Sequence, residues 1–247
     1  MSTPLPQIVH PTFELTIPST KKRHQSRPME TRERKVLLMA LEGNNPLDIS
    51  NAVRSICSAC ISGINSEALT TFDLEWAFLQ LVINSIRDTI ELEVRISKQN
   101  QSCDDCSKPR LLKVDLKDAK ISGEIKDAKA LTIDVASGVG VKLKYPSDKD
   151  LQELEMVNQD KTEVEKLIDM ISICVDVVFD NDKVFRFADY TYEDKIAWLE
   201  TLPTKAMDRL EDFVNSIPQL CLDVIIECPT CKSTTTHKMS GLSDFFV

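Results

Sequence analysis

The chain has 247 residues, 42% of them hydrophobic and 28% charged, with a formal net charge of -9. That is enough apolar material for one large domain or two small ones. Six glycines, with no G-x-x-x-x-G-K-[ST] or G-x-G-x-x-G pattern, argue against a glycine-rich nucleotide cradle, and no run of about 18 apolar residues is present to span a membrane.

The charge is uneven. Residues 1–36 carry seven Lys/Arg against three acids, and residues 147–216 carry eighteen acids against eight bases. A basic arm on an acidic body can meet an acidic protein surface, its own body included, as readily as a phosphate backbone. The overall acidity makes a general nucleic-acid role unfavourable. The N-terminus lacks the charged-then-apolar pattern of a signal peptide, so the chain is expected inside a cell. Disulfides are uncommon there, which makes the eight cysteines thiols or metal ligands.

Residues 1–30 hold five prolines, a density that opposes helix and predicts an extended, basic arm. Within it, "TFELTI" alternates like a short strand suited to a sheet edge. Residues 31–96 read as a helical region. "ETRERKVLLMALEG" predicts a helix with Val36, Leu37, Met39, Ala40 and Leu41 on its apolar stripe, ended by Gly43. A second helix starts near Asn45-Pro46 or Asp48. A third covers "TTFDLEWAFLQLVINSIRDTIEL", apolar at Leu74, Phe78, Leu81, Val82 and Ser85/Ile86.

Residues 97–146 read as a knuckle followed by a small β region. "IELEVRI" and "RLLKVDL" bracket Cys103-Asp-Asp-Cys106, and "ISGEI", "ALTIDV" and "VGVKLKYP" continue in β texture, with Gly138 and Gly140 as turn or bulge points. Residues 147–216 predict an acidic helical region, with one long segment running through "ISICVDVVF". Residues 217–247 predict a strand, then Cys228-Pro-Thr-Cys231, then a strand. The expected fold class is α+β: two helical layers, each followed by a strand–CxxC knuckle–strand unit, with a small β region in the middle. Trp76 and Trp198 precede one knuckle each, so the plan reads as an internal duplication or as two halves of one folding unit.

The two CxxC turns are the strongest chemical signal. A tight turn lets two sulfurs converge on one tetrahedral ion, and thiolates suit zinc. Cys106 and Cys228 are separated by 121 residues, so the pairs can share a metal only if the two knuckles pack together. Two separate or incomplete sites, and two metal-free turns, are the alternatives. Cys57, Cys60, Cys174 and Cys221 lie in apolar surroundings and read as core, where a free thiol behaves as a small hydrophobe. His237 is open to two readings, a ligand beside Cys228 or a solvated strand residue. Three histidines in all give a Cys–His or Ser–His pair little to draw on, and the carboxylates are spread over helix faces as solubility alone would require.

The opening "LPQIVHPTFELTIPSTKKRHQSRPMETRERKVLLMALEG", the "FDLEWAFLQLVINSI" helix, the central CxxC and the terminal "CPTC…GLSDFFV" together resemble the T4-type bacteriophage baseplate protein family, whose members are baseplate hub subunits and hub assembly proteins. The likeness covers most of the chain. It implies a non-enzymatic protein of the tail baseplate hub, a structural subunit or an assembly chaperone. It would work in the host cytoplasm during assembly or in the virion tail, with other hub or tail proteins as partners and self-association open to it. On the residues themselves, the metal site is expected to be one structural zinc on Cys103, Cys106, Cys228 and Cys231. The competing reading is a zinc-ribbon nucleic-acid-binding or transcription factor. It is disfavoured by Asp104 and Asp105, whose charge a phosphate backbone would repel.

Overall fold

The computed structural model describes residues 8–96, 103–127, 129–157, 161–181 and 183–245. The class is α+β, with seven α-helices and several small sheets among the described residues. Two compact units divide the chain. The first takes residues 1–66, 72–122 and 219–247, and the second takes 67–71 and 123–218.

The first unit opens on a hairpin, β1 (Phe13–Thr16) and β2 (Arg23–Ser26). Leu15 and Ile17 share one face by the period-two rule, and both are buried. Lys21 takes the left-handed turn conformation between the strands, at φ 57°. The arm expected from the prolines is therefore folded over residues 13–26: the strand seen in "TFELTI" pairs within the arm itself. Residues 1–7 lie outside the described residues. The hairpin is tied to the end of a helix. Arg27 N–H donates to Cys60 O at 2.9 Å and Ser62 N–H to Gln25 O at 2.8 Å.

Helix α1 (Thr31–Gly43) ends on Asn44 in the left-handed region at φ 47°, so asparagine rather than the expected Gly43 supplies the positive φ. Helix α2 (Pro46–Cys60) starts as its sequence requires. The Asn45 side chain accepts from Leu47 N–H, and Pro46 stands at the first helical position. Helix α3 (Thr71–Ser85) buries Leu74, Phe78, Leu81 and Val82, each contributing about 1.5–3 kcal/mol of apolar transfer. The stripe expected on α1 is not a core face. Only Leu37 of its five apolar positions is buried, while Val36 and Met39, with Leu38 beside them, are exposed.

The rest of this unit is antiparallel β. Strands β3 (Thr89–Val94) and β4 (Arg110–Asp115) pair from Thr89↔Asp115 to Val94↔Arg110. Strand β5 (Lys120–Ser122) lies beside β10 (Gln219–Glu227), which pairs on its other side with β11 (Thr234–Ser240). Both CxxC turns therefore belong to one unit, rather than one to each of two repeated halves.

The second unit is a four-stranded antiparallel sheet with helices. Its strand order is β6 (Thr132–Ala136), β7 (Val139–Leu143), β8 (Val175–Asp180), β9 (Lys183–Arg186). Its helices are α4 (Asp148–Val157), α5 (Glu163–Cys174), α6 (Tyr192–Glu200) and α7 (Thr204–Asn215). Val141, Leu143, Ile171, Leu199, Leu210 and Phe213 lie in its core. The long helix expected to run through "ISICVDVVF" stops at Cys174, because "VDVVF" is β-branched and aromatic and completes the sheet. Residues 147–216 thus contain two strands as well as helices. Gly138 makes a turn at φ 78°, as expected. Gly140 has a different role: a Cβ there would lie 2.1 Å from the Phe179 ring, so the ring stands directly over the glycine.

Candidate metal centre

The alternation that buries β10 also aims its cysteine. Leu220, Leu222, Val224 and Ile226 share the buried face, and Cys228 has the same parity. The chain then turns tightly. Lys232 N–H donates to Cys228 O at 2.9 Å, Cys228 N–H donates to Ser233 O at 2.8 Å, and Lys232 sits at φ 62°. This returns Cys231 to the side of Cys228. The first turn is a short 3-10 segment over Asp104–Ser107, in which Cys106 N–H donates to Cys103 O at 3.3 Å.

The four sulfurs converge. Cys103 Sγ lies 3.8 Å from Cys228 Sγ, and Cys106 Sγ lies 3.4 Å from Cys231 Sγ. All four lie within 4.8 Å of one another. A disulfide would need about 2.0 Å. A tetrahedron of sulfurs at about 2.3 Å from zinc has S···S edges of about 3.8 Å, so the donor set and its spacing fit a tetrahedral metal. Cys103, Cys106 and Cys228 are buried and Cys231 is half-buried, and such a dry shell strengthens charge–charge attraction.

Three side chains join the two turns independently of any ion. Arg110 donates from Nη2 to Asp105 O at 2.8 Å and from Nη1 to Glu227 O at 3.2 Å, and its Nη2 lies 3.8 Å from Cys228 Sγ. Thr230 Oγ1 donates to the Asp105 carboxylate, which Lys108 also approaches. One cationic group thus faces a cluster of thiols that would carry up to four negative charges as thiolates. Backbone N–H groups of Cys231 and Thr230, with Arg110, hold the Cys228 thiol down at about 6. Cys106 is pushed up to about 12, chiefly because it shares a hydrogen bond with Cys231. Without an ion, Cys228 gives up its proton well before Cys106.

The remaining cysteines stand elsewhere. Cys57, Cys60, Cys174 and Cys221 are buried, and desolvation raises Cys60 to about 11 and Cys174 to about 12. His237 is exposed on β11 opposite Val224 and is absent from the sulfur cluster. Arg110 and Thr230 belong to no motif in the sequence, where Asp105 enters only as a charge that repels phosphate. Arg110 was within reach: it shares parity with Leu112, Val114 and Leu116, and so points inward from the start of β4.

No helix among the described residues is long and apolar enough to cross a membrane. Comparison with curated proteins and with solved structures yielded no match. Residues 10–247 match the family model described as T4 bacteriophage base plate protein. That span takes in the hairpin, both CxxC turns and the second unit, and the chain therefore belongs to the T4 bacteriophage base plate protein family.

Proposed function

We propose that this chain is a non-enzymatic protein of the contractile-tail baseplate hub, acting in hub assembly as a structural subunit or an assembly chaperone, and that its four cysteines hold one structural zinc. The observation that carries the reading is the match to the baseplate family over nearly the whole chain. The cysteine cluster supports a scaffold role. Four thiolates fill a tetrahedral shell and leave no position for water or substrate. Sulfur-only tetrahedral sites select zinc or iron, and zinc adds no redox chemistry. When bound, the ion would cross-link the turn after β3 to the turn after β10.

The partners on this reading are other hub or tail proteins. The setting is the host cytoplasm during assembly and then the tail baseplate. A phage lacking this chain should accumulate tail parts without completed hubs, visible by electron microscopy of lysates. Supplying the chain in trans should restore infectious particles. Normal hubs and unchanged titre in the deletion would refute the assembly role.

The knuckle on β10 and β11 is the feature that favours the zinc-ribbon nucleic-acid reading. Asp104 and Asp105 in the opposing turn oppose it, as do the eighteen acids of residues 147–216.

Arg110 gives a test of how the site is held. Arg110→Met removes the donors to Asp105 O, Glu227 O and Cys228 Sγ together. Loss of an outer-shell partner costs roughly 10- to 100-fold in metal affinity, so chelator competition should show zinc released at correspondingly lower chelator concentration. Unchanged competition would mean that the clasp does not support the ion.

A further inference from the structure

Helix α1 leaves an apolar stripe uncovered. Leu38 and Met39 are 49% and 61% exposed, although a 13-residue helix in a folded unit normally turns such residues inward. The charges on the same stripe are ordered. Residues three, four and seven apart share one helix face, so Lys35, Leu38, Met39 and Glu42 form a single row: a cation, two apolar side chains, an anion. Neither Lys35 nor Glu42 has an ion-pair partner among the described residues. Val36 flanks the row and is also exposed.

The row is complementary to itself read backwards. We propose that α1 is a homodimer contact in which two copies of this chain pair their α1 helices antiparallel about a two-fold axis. In that register Lys35 meets Glu42 of the second copy, Leu38 meets Met39, and each contact occurs twice, as an isologous interface requires. A parallel pairing would set Lys35 against Lys35 and Glu42 against Glu42, so the charge order selects the antiparallel arrangement. The patch is one helix face, well below the roughly 800 Å² per partner of a standard interface, and the dimer is therefore weak and concentration-dependent.

Charge swapping separates this occupant from any other. Sedimentation equilibrium of the full chain at low salt should show a reversible monomer–dimer equilibrium. Lys35→Glu alone and Glu42→Lys alone each turn two attractive pairs into two repulsive ones, and should weaken dimerisation about tenfold. The double variant Lys35→Glu/Glu42→Lys recreates both pairs with reversed sign and should return association to the wild-type value. Met39→Asp should abolish it. All three substitutions are at exposed positions, and circular dichroism verifies that each variant is folded. A chain that stays monomeric at every concentration overturns the proposal. So does association that ignores the single swaps, or a double variant as weak as the singles. Loss of a baseplate partner in Met39→Asp, from a wild type that is monomeric alone, would assign the face to a different protein and overturn the proposal equally.

Discussion

The purified protein should carry about one zinc per chain, the stoichiometry of a single four-thiolate site. Cys103→Ser and Cys228→Ser should each abolish that content. Their double variant should be no worse than either alone, because both changes break one shared shell. Residues 103–106 and 228–231 come from turns far apart in the chain, so the ion closes a long loop and its binding is coupled to folding. Structural zinc sites are worth on the order of 10 kcal/mol in small domains. Either serine variant should therefore lower the melting temperature of the first unit sharply, and a strong chelator should do the same to the wild type. Metal should also be lost in acid, since the ligands must be deprotonated to bind. Inductively coupled plasma mass spectrometry gives the stoichiometry, and cobalt substitution gives a thiolate charge-transfer band that reports the sulfur count. His237→Ala and Cys221→Ala are the controls and should leave the zinc content unchanged. If Cys103→Ser left zinc and stability intact while Cys228→Ser removed both, the shared site would be refuted.

The second large effect concerns Glu33, a buried carboxylate on α1. Its desolvation pushes its pKa up. The opposing contributions win: Arg27 Nη2 donates to it at 2.8 Å and Glu30 N–H donates at 2.8 Å, and the group titrates at about 2. The folded pKa lies below the unfolded one, about 4.3. The stabilisation is therefore fully present above about pH 4.3 and is lost as pH falls toward about 2. A depression of this size corresponds to about 3 kcal/mol at neutral pH. Glu33→Gln should remove about 2–3 kcal/mol at pH 7, because Arg27, which is 78% covered, loses its nearer carboxylate and keeps only that of Glu30 at 3.5 Å. It should also flatten the acid limb of the stability curve between about pH 4.3 and pH 2. Urea denaturation at a series of pH values measures both. An acid limb identical in the variant and the wild type would show that Glu33 does not govern it.

The two predictions concern different junctions, one between turns far apart in the chain and one within six residues, and they differ in how much of the junction local pattern reveals. The CxxC turns are visible because two cysteines at that spacing between alternating strands have a mechanism of their own. Glu33 looks like any helix-face acid until the hairpin brings Arg27 onto it.

Several features were determined by sequence alone. Proline, asparagine and the 3.6-residue period place α1, α2 and α3, because caps and apolar stripes act within a few residues. Period-two alternation places β3, β4, β10 and β11, and the parity of Leu220 to Ile226 already directs Cys228 inward. Other features only the tertiary structure decided. "TFELTI" alternates like a free edge strand, and its partner is the polar "RHQS", whose fitness as a strand comes from the hairpin turn and from docking at Ile61. "VDVVF" continues a helical pattern in sequence and becomes β8, because a sheet flanked by β7 and β9 rewards β-branched residues more than a helix end does. Val36 and Met39 read as core and are exposed, since periodicity gives a stripe without saying what covers it. The meeting of Cys103 and Cys106 with Cys228 and Cys231 was likewise beyond local pattern. A separation of 121 residues has no intrinsic geometry, and only the packing of the two β-turns within one unit sets the four sulfurs within 4.8 Å.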